Sequence, residues 1–262
     1  MQVVFDTISC KTYFKDVVIF GEKMDKILET LKYVDLKFKK IQEILVKDIK
    51  KEEKCEFLSY ETADILSNLN KCYDYCISML FQGVDFSVLD EKDQKKIEKS
   101  YKYFPFSKKQ LEGPLYLGIK VVKPDFFNYL SNLTDKITIN AQVETNEPNT
   151  YSDLRYGMAK DIHDLCKIDK HKKPLEIIEV PNTKARVEQA NGMIVEMSLL
   201  NCKGFLPKLC LPIGPHGEGY IGNSYKVSGF SQELEMFLIH RIGITKQIVK
   251  EFSVLLGSVV NF

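Results

Sequence analysis

The stretch Asp161-Ile-His-Asp-Leu-Cys-Lys-Ile-Asp-Lys-His-Lys-Lys-Pro174 divides the 262-residue chain into two parts of different character. Before it, apolar residues recur mainly at helical spacing, whereas Leu175 to Val180 and Met193 to Leu200 have the pattern of strands. Pro174 ends the helix to which the stretch belongs, because its ring cannot follow another helical turn. The order of elements therefore predicts an α+β fold, with helices first and a small antiparallel sheet after them.

Three long amphipathic helices are predicted, because apolar residues recur every three or four positions in three segments. These segments span about residues 16–50, 60–82 and 153–173. The middle segment carries two adjacent apolar stripes, which predicts burial on more than one side, as in the central helix of a bundle. Residues 83–115 are predicted to be largely loop, with Phe104-Pro105-Phe106 as an apolar plug.

Several shorter features are predicted around these helices. They are a strand at residues 2–9, a helix break near Gly21, a solvated connection at 50–54, a short helix from Pro124 to Leu133, a polar loop at 140–150 and a helix cap at Ser152 or Asp153. Each follows from local composition: Pro in a first turn favours a helix start, and Ser or Asp favours a cap.

The second part of the chain is predicted to form a small sheet followed by a final helix that packs on it. Asn191-Gly192 lies between two apolar runs and is a strong signal for a hairpin turn. A further short strand is expected near 224–227 and a helix from about 231 to 256. We expect residues 1–174, the mainly helical part, and residues 175–262 to form one compact unit.

The overall composition excludes several classes of protein. Lys and Arg (37) nearly balance Asp and Glu (36), so no global charge attracts nucleic acid or an anionic membrane. No apolar run approaches the roughly 20 residues needed to cross a bilayer, and the N-terminal segment does not resemble a secretion signal. Seven cysteines without a CxxC pair predict reduced thiols and a cytoplasmic location.

No cofactor or metal is predicted. Gly217-Glu-Gly219-Tyr-Ile-Gly222 matches the spacing of a dinucleotide fingerprint, but it follows prolines and opens no predicted helix, where the pyrophosphate would have to bind. Cys72 and Cys76 lie one helical turn apart and lack a second pair of ligands nearby. We interpret them as small buried side chains of a helix.

Asp169 and His171 are the candidate chemical groups at the end of the third helix. An aspartate in the last turn opposes the helix dipole, so Asp169 is expected to have a compensating partner, such as the imidazole of His171. Asp164 shares a helical face with His171, as His163 does with Lys167. An Asp–His couple serves general base catalysis or acts as a structural clamp, and we favour the clamp.

Three segments between about residues 60 and 180 have a distinctive order and spacing. They are Ala63-Asp-Ile-Leu-Ser-Asn-Leu-Asn70-Lys-Cys-Tyr-Asp74-Tyr75, then Phe104-Pro-Phe106, then Ile162-His-Asp-Leu-Cys-Lys-Ile-Asp169-Lys-His171-Lys172. In these segments the chain resembles a group of bacterial proteins with HEPN-like helical features, and the Asp-Lys-His block is the most specific part. The resemblance implies an antiparallel helical bundle, a homodimer and a setting in bacterial defence or toxin–antitoxin systems.

The sequence departs from that family at the positions that matter for catalysis. HEPN ribonucleases use a closely spaced arginine and histidine from each subunit, and the matching positions here hold Asn70 and Tyr75. Neither side chain supplies a cation for a phosphorane-like anion or an imidazole for proton transfer. Arg155 and His163 are spaced too widely to replace them.

Two functions of different classes follow. The first is a non-catalytic, degenerate HEPN-like protein that dimerises or binds a protein partner. The alternative is an RNA- or nucleotide-directed, ribonuclease-like enzyme with a cleft between helices 60–82 and 153–173. Its candidate catalytic residues are Asn68, Asp74, His163, Asp169 and His171. Small-molecule binding among the aromatic residues of 101–130 has no signal beyond their aromatic content.

Overall fold

A computed structural model describes residues 7–47, 49–82, 84–143, 155–171, 174–188, 194–198 and 217–256. Within these ranges the chain forms eight helices and three strands, which confirms the predicted α+β class. The helices are α1 (Thr7–Val46), α2 (Lys51–Gln82), α3 (Glu91–Glu98), α4 (Lys108–Leu111), α5 (Pro114–Val122), α6 (Pro124–Val143), α7 (Gly157–His171) and α8 (Leu234–Leu255). The strands are β1 (Ile177–Glu188), β2 (Ile194–Ser198) and β3 (Gly217–Val227).

Helix α2 is the central helix of the bundle, as its two apolar stripes predict. It packs against α1, α7 and α8 and also against β1. Its apolar side chains are buried on more than one side, since Ile65, Leu69, Cys72 and Ile77 are all fully enclosed. Cys72 and Cys76 belong to this core, and burial raises the pKa of the Cys72 thiol to about 12.

The first two helices are longer than predicted. Residues 7–9 begin α1 and are not in a strand, and the helix passes through Gly21 without a break. Residues 51–54 form the first turn of α2 and are not only a connection. The run of charged side chains indicated a solvated connection. Glu52 and Glu53 instead lie in the first turn, at the positive end of the helix dipole, where acidic side chains favour helix initiation.

The segment 83–115 is only partly loop, because it contains α3, α4 and the start of α5. Asp90 caps α3 by accepting a 2.8 Å hydrogen bond from the backbone N–H of Asp93. Gly118 on α5 lies close to α3: a Cβ there would stand 2.4 Å from Cδ1 of Ile97. The predicted helix at 124–133 extends to Val143, so residues 140–143 are helical and not loop.

The sheet has three strands in the order β2-β1-β3, and both pairs are antiparallel. Glu188 pairs with Ile194, as expected for the predicted hairpin, whose turn residues Asn191 and Gly192 lie outside the described ranges. The strand expected near 224–227 begins at Gly217. The glycine-spaced segment 217–222 is therefore strand and opens no helix, which agrees with its rejection as a dinucleotide site.

One hydrophobic core contains residues of the helices and of strands β1 and β3. Its buried apolar side chains run from α1 to α8 and include Ile177 of β1 and Val227 of β3. Helix α8 packs against α2 and α7 as well as β3, a wider contact than the expected packing on the sheet alone. One buried link between helices is polar: the hydroxyls of Tyr73 and Thr245 lie 2.8 Å apart.

An ionic network joins α1 to the polar face of α2. Lys37 Nζ lies 2.9 Å from Glu61 Oε2 and 3.1 Å from Asp64 Oδ2, and Lys40 also pairs with Glu61. The Tyr33 hydroxyl donates a 2.8 Å hydrogen bond to Asp64. Burial opposes ionisation of the Glu61 carboxyl, but hydrogen bonds from Lys40 and Lys37 outweigh it and lower its pKa.

We expect Glu61→Gln to change how stability depends on pH. The pKa of Glu61 is lower in the folded than in the unfolded state, so its ionised carboxylate stabilises the fold. This contribution is fully present above the unfolded pKa, about 4.3, and is lost as pH falls through the folded-state pKa. The wild type should therefore lose stability below about pH 4 more steeply than Glu61→Gln, which should be less stable by about 1 kcal/mol at pH 7. Urea unfolding from pH 3 to 7 measures both effects. Parallel pH curves for the two proteins would refute the role given to Glu61.

Candidate functional site

The candidate site is the place where α2 and α7 face each other through Asn70 and His163. The Nδ1 atom of His163 lies 3.3 Å from Oδ1 of Asn70, although the residues are 93 positions apart in the chain. Asn70 and Asp74 are one turn apart on α2, so they share the face that is turned toward this region. The structure thus places His163 of α7 beside Asn70 of α2.

The apolar plug fills the space beside this pair. Phe104 and Phe106 are 1% and 2% exposed, which confirms the predicted plug. The ring of Phe106 is stacked on the imidazole of His163, with 4.2 Å between ring centroids and 19° between ring planes. Asp74 holds the same segment, because its Oδ1 accepts a hydrogen bond of 3.3 Å from the backbone N–H of Phe104.

Asn68 does not join this group. It lies two residues before Asn70, so its side chain leaves α2 on a nearly opposite side. Its Nδ2 donates to the backbone carbonyl and Oδ1 of Asp64, at 2.8 and 2.9 Å, and Lys71 donates to its Oδ1 at 3.2 Å. Asn68 therefore belongs to the polar face that α2 turns toward α1, and it was wrong to group it with Asp74 and His163.

The remaining predicted residues contribute less to the described geometry. Tyr75 is partly buried and packs against the apolar core. Asp169 and His171 lie in the last turn of α7, and their side chains are outside the described part of the structure, so the predicted clamp between them stays a prediction. Asp164, which was expected to share a face with His171, forms an ion pair with Lys160.

The chemistry available to the described group is limited. It combines an amide, a carboxylate that binds a backbone N–H, and an imidazole stacked on a phenyl ring. No group of three or more potential metal ligands occurs among the residues that the structure describes. The geometry suits the bracing of α2, α7 and the plug against one another, because each named polar atom contacts another part of the chain.

A second buried polar cluster, which the sequence analysis missed, lies between α7 and α8. Arg241 is 2% exposed, and its Nη2 lies 2.6 Å from Oδ2 of Asp161. Its Nη1 donates to Oε1 of Gln232 at 2.7 Å, and its guanidinium carbon lies 3.7 Å from the centroid of the Phe237 ring. Nε2 of Gln232 donates in turn to Nδ1 of His240 at 3.1 Å. Burial raises the pKa of Asp161, while Arg241 opposes that shift.

A signal for this cluster is present in the sequence. Arg241 is one of only three arginines, and His240-Arg241 interrupts an otherwise apolar part of the final helix. A permanently charged side chain in such a setting needs a buried partner. The partner could not be identified, because Asp161 is 80 positions away.

A third polar cluster is centred on Glu251 of α8. The hydroxyls of Tyr129 and Tyr156 both donate to its carboxylate, and Gln247 donates to the Tyr156 hydroxyl at 2.8 Å. Burial and the neighbouring Glu251 raise the pKa of Tyr156 to about 12. These hydrogen bonds connect α6, through Tyr129, and the residue before α7, Tyr156, to α8.

No protein-family model matches the sequence, and comparisons with curated proteins and with solved structures also found no match. Within the described part of the chain, no helix has both the length and the apolar character that crossing a membrane requires.

Proposed function

We propose that this chain is a non-catalytic, degenerate HEPN-like protein that acts as a dimerising or partner-binding module. The observation that supports the proposal most directly is the environment of His163. Its imidazole is stacked on Phe106 and lies beside the uncharged amide of Asn70. An amide cannot provide the positive charge that stabilises a developing phosphorane-like anion, so the pair lacks the main electrostatic element of phosphodiester cleavage.

Asp74 supports the same proposal. A general base must reach a proton of the substrate, whereas Asp74 accepts the backbone N–H of Phe104 inside the protein. The carboxylate thus contributes to the position of the plug, and the plug in turn positions His163.

Exposed apolar side chains on α1 and α2 provide surface for association. These two helices pack against each other. Among their residues with described side chains, the exposed large hydrophobic ones are Tyr33, Leu36, Val46, Phe57 and Tyr60. Leu36 and Tyr60 are 65% and 67% exposed. Single exposed apolar residues are common, but several on paired helices are typical of an interface.

The proposal is tested by incubating a mixed RNA pool with wild-type protein, His163→Ala, His171→Ala and the double variant Asn70→Arg/Tyr75→His. We expect the RNA to stay intact with the wild type and with both single variants. Light scattering coupled to gel filtration should in addition show self-association, or a complex once a partner is supplied, that Leu36→Glu/Tyr60→Glu weakens. Circular dichroism confirms that each variant is folded.

Cleavage of RNA by the wild-type protein would favour the alternative, an RNA-directed enzyme. The convergence of Asn70 and His163 between α2 and α7 is the observation that favours the alternative, since the cleft was expected between those helices. Cleavage by the wild type that disappears in His163→Ala or His171→Ala would establish it. Cleavage by the Asn70→Arg/Tyr75→His variant alone would support a degenerate site.

A further inference from the structure

An exposed pair of tyrosines immediately precedes the buried plug. Between α3 and α4, residues 101–103 are exposed and residues 104–106 are buried, so the chain passes there from the surface into the core. Tyr101 and Tyr103 face solvent and are 79% and 54% exposed. Their rings are stacked, with 5.4 Å between centroids and 13° between planes. Two parallel aromatic rings that face water form a ready surface for an apolar ligand.

These rings border a groove of about 300 Å³ whose far wall is the start of α5. The residues that line it are Ser100, Tyr101, Tyr103, Gln110, Gly113, Pro114, Leu115 and Tyr116. Tyr116 is nearly buried and donates a hydrogen bond through its hydroxyl to the carbonyl of Tyr103. The groove is therefore held in shape before any ligand binds, which lowers the entropic cost of binding.

The charged side chains nearest in sequence flank the lining residues of the groove and do not line it. None of the lining residues is charged. The Oε1 atom of Gln110 accepts a 3.2 Å hydrogen bond from the Ser107 hydroxyl, so its Nε2 is the group that would donate to a ligand. Three lysines and one glutamate are sequence neighbours of lining residues, namely Lys99, Lys102, Lys109 and Glu112. Lys102 Nζ lies 3.8 Å from the centroid of the Phe81 ring, whereas Lys99 and Lys109 have no acidic partner in the described part of the chain. Nearby lysines differ in this respect, because Lys96 pairs with Asp93 and Lys108 with Asp135.

This arrangement favours a peptide over a nucleic acid. Binding of a single strand depends on cations that follow its phosphates, and no cation lines this groove. Grooves lined by aromatic side chains instead bind proline-containing segments, which are already extended and lose little entropy on binding. Acidic residues beside the prolines would lie near Lys99 and Lys109.

We propose that this tyrosine groove binds an extended, proline-containing peptide of a protein partner, with acidic residues flanking the prolines. The proposal rests on the partner-binding function given above and identifies the class of partner. Tyr101 and Tyr103 form the surface for the proline rings, Gln110 is placed to hydrogen bond to the peptide backbone, and the two lysines select the acidic flanks.

The test uses the full chain and a fluorescein-labelled octaproline peptide flanked on each side by paired aspartates. Fluorescence polarisation should show saturable binding, about tenfold weaker in Tyr101→Ala/Tyr103→Ala. Both tyrosines are exposed, so this variant should keep its fold. Val254→Ala, which removes an apolar side chain that is 61% exposed on α8, is the matched control and should bind like the wild type.

The charge requirement is tested with a second peptide whose flanks are paired lysines. The wild type should prefer the aspartate-flanked peptide, and Lys99→Glu/Lys109→Glu should reverse that preference. Absence of saturable binding, or equal binding by the double tyrosine variant, would overturn the proposal. Binding of oligouridine RNA that requires both tyrosines, without peptide binding, would assign the groove to nucleic acid instead.

The two proposals fail in different ways. Wild-type protein that leaves RNA intact and binds no peptide would remove the groove proposal and leave the non-catalytic function in place. Wild-type protein that binds the peptide and also cleaves RNA would refute the non-catalytic function and leave the groove proposal in place.

Discussion

Replacing Arg241 with methionine should lower the free energy of unfolding by about 3–5 kcal/mol at pH 7. The guanidinium is 2% exposed and balances the carboxylate of Asp161 at 2.6 Å. Methionine fills similar space but leaves that partly buried carboxylate without its cation, and Gln232 loses a donor at 2.7 Å. Urea unfolding, followed by circular dichroism, measures the loss.

The physical cause can be separated from a simple loss of packing. Without Arg241, the folded-state pKa of Asp161 should rise further above its unfolded value, so the penalty should grow as pH rises and should be smaller at pH 4 than at pH 7. Asp161→Asn/Arg241→Met should be less destabilised than the sum of its single variants. Lys250→Met, on the exposed side of the same helix, is the matched control and should change stability by less than about 0.5 kcal/mol. A loss below about 1 kcal/mol in Arg241→Met would contradict this account.

Replacing Phe104 with alanine should also cost about 3–5 kcal/mol. The ring is 1% exposed and contacts Tyr73, Phe106 and Phe252, with centroid distances of 5.1, 4.8 and 6.1 Å. Truncation leaves a cavity among rings that are fixed by several elements and cannot close over it. The midpoint of urea unfolding should fall while its slope stays unchanged, since the surface exposed on unfolding is nearly the same.

The neighbouring residue provides the control for Phe104. Tyr103→Ala removes a ring of similar size from the same segment between α3 and α4, but that ring is 54% exposed, so stability should change by less than about 0.5 kcal/mol. Phe104→Leu should fall between wild type and Phe104→Ala, because it restores part of the lost volume. Equal losses in Tyr103→Ala and Phe104→Ala would show that the segment is not anchored by the plug.

The plug also connects stability to the candidate site. Phe106 stacks on His163 and Asp74 binds the backbone of Phe104, so loosening of the plug should free the imidazole. The chemical shifts of the His163 ring protons in Phe104→Ala would report that change.

Local sequence patterns determined a large part of this architecture. The apolar stripes of α2 predicted its central position, the proline at 174 predicted the end of α7, and the hairpin signal near 191 predicted the antiparallel pairing of β1 with β2. These features depend on residues a few positions apart, whose periodicity and backbone preferences are visible in the chain itself. Charged first turns and short helices were missed at 51–54 and 91–111, because local charge suggested loop where capping and the dipole favoured helix.

The partners of the polar side chains were decided only by the tertiary structure. Asn70 with His163, Asp74 with Phe104 and Arg241 with Asp161 join positions that are 93, 30 and 80 residues apart. Spacing on one helix places Asn70 and Asp74 on a common face and Asn68 on another, but it does not show which distant residues meet each face. A hydrogen bond or ion pair depends on which faces of distant helices meet, and that is set by packing of the whole core. The sequence therefore determined which residues could carry the chemistry, and the tertiary structure decided which of those with described side chains contact one another.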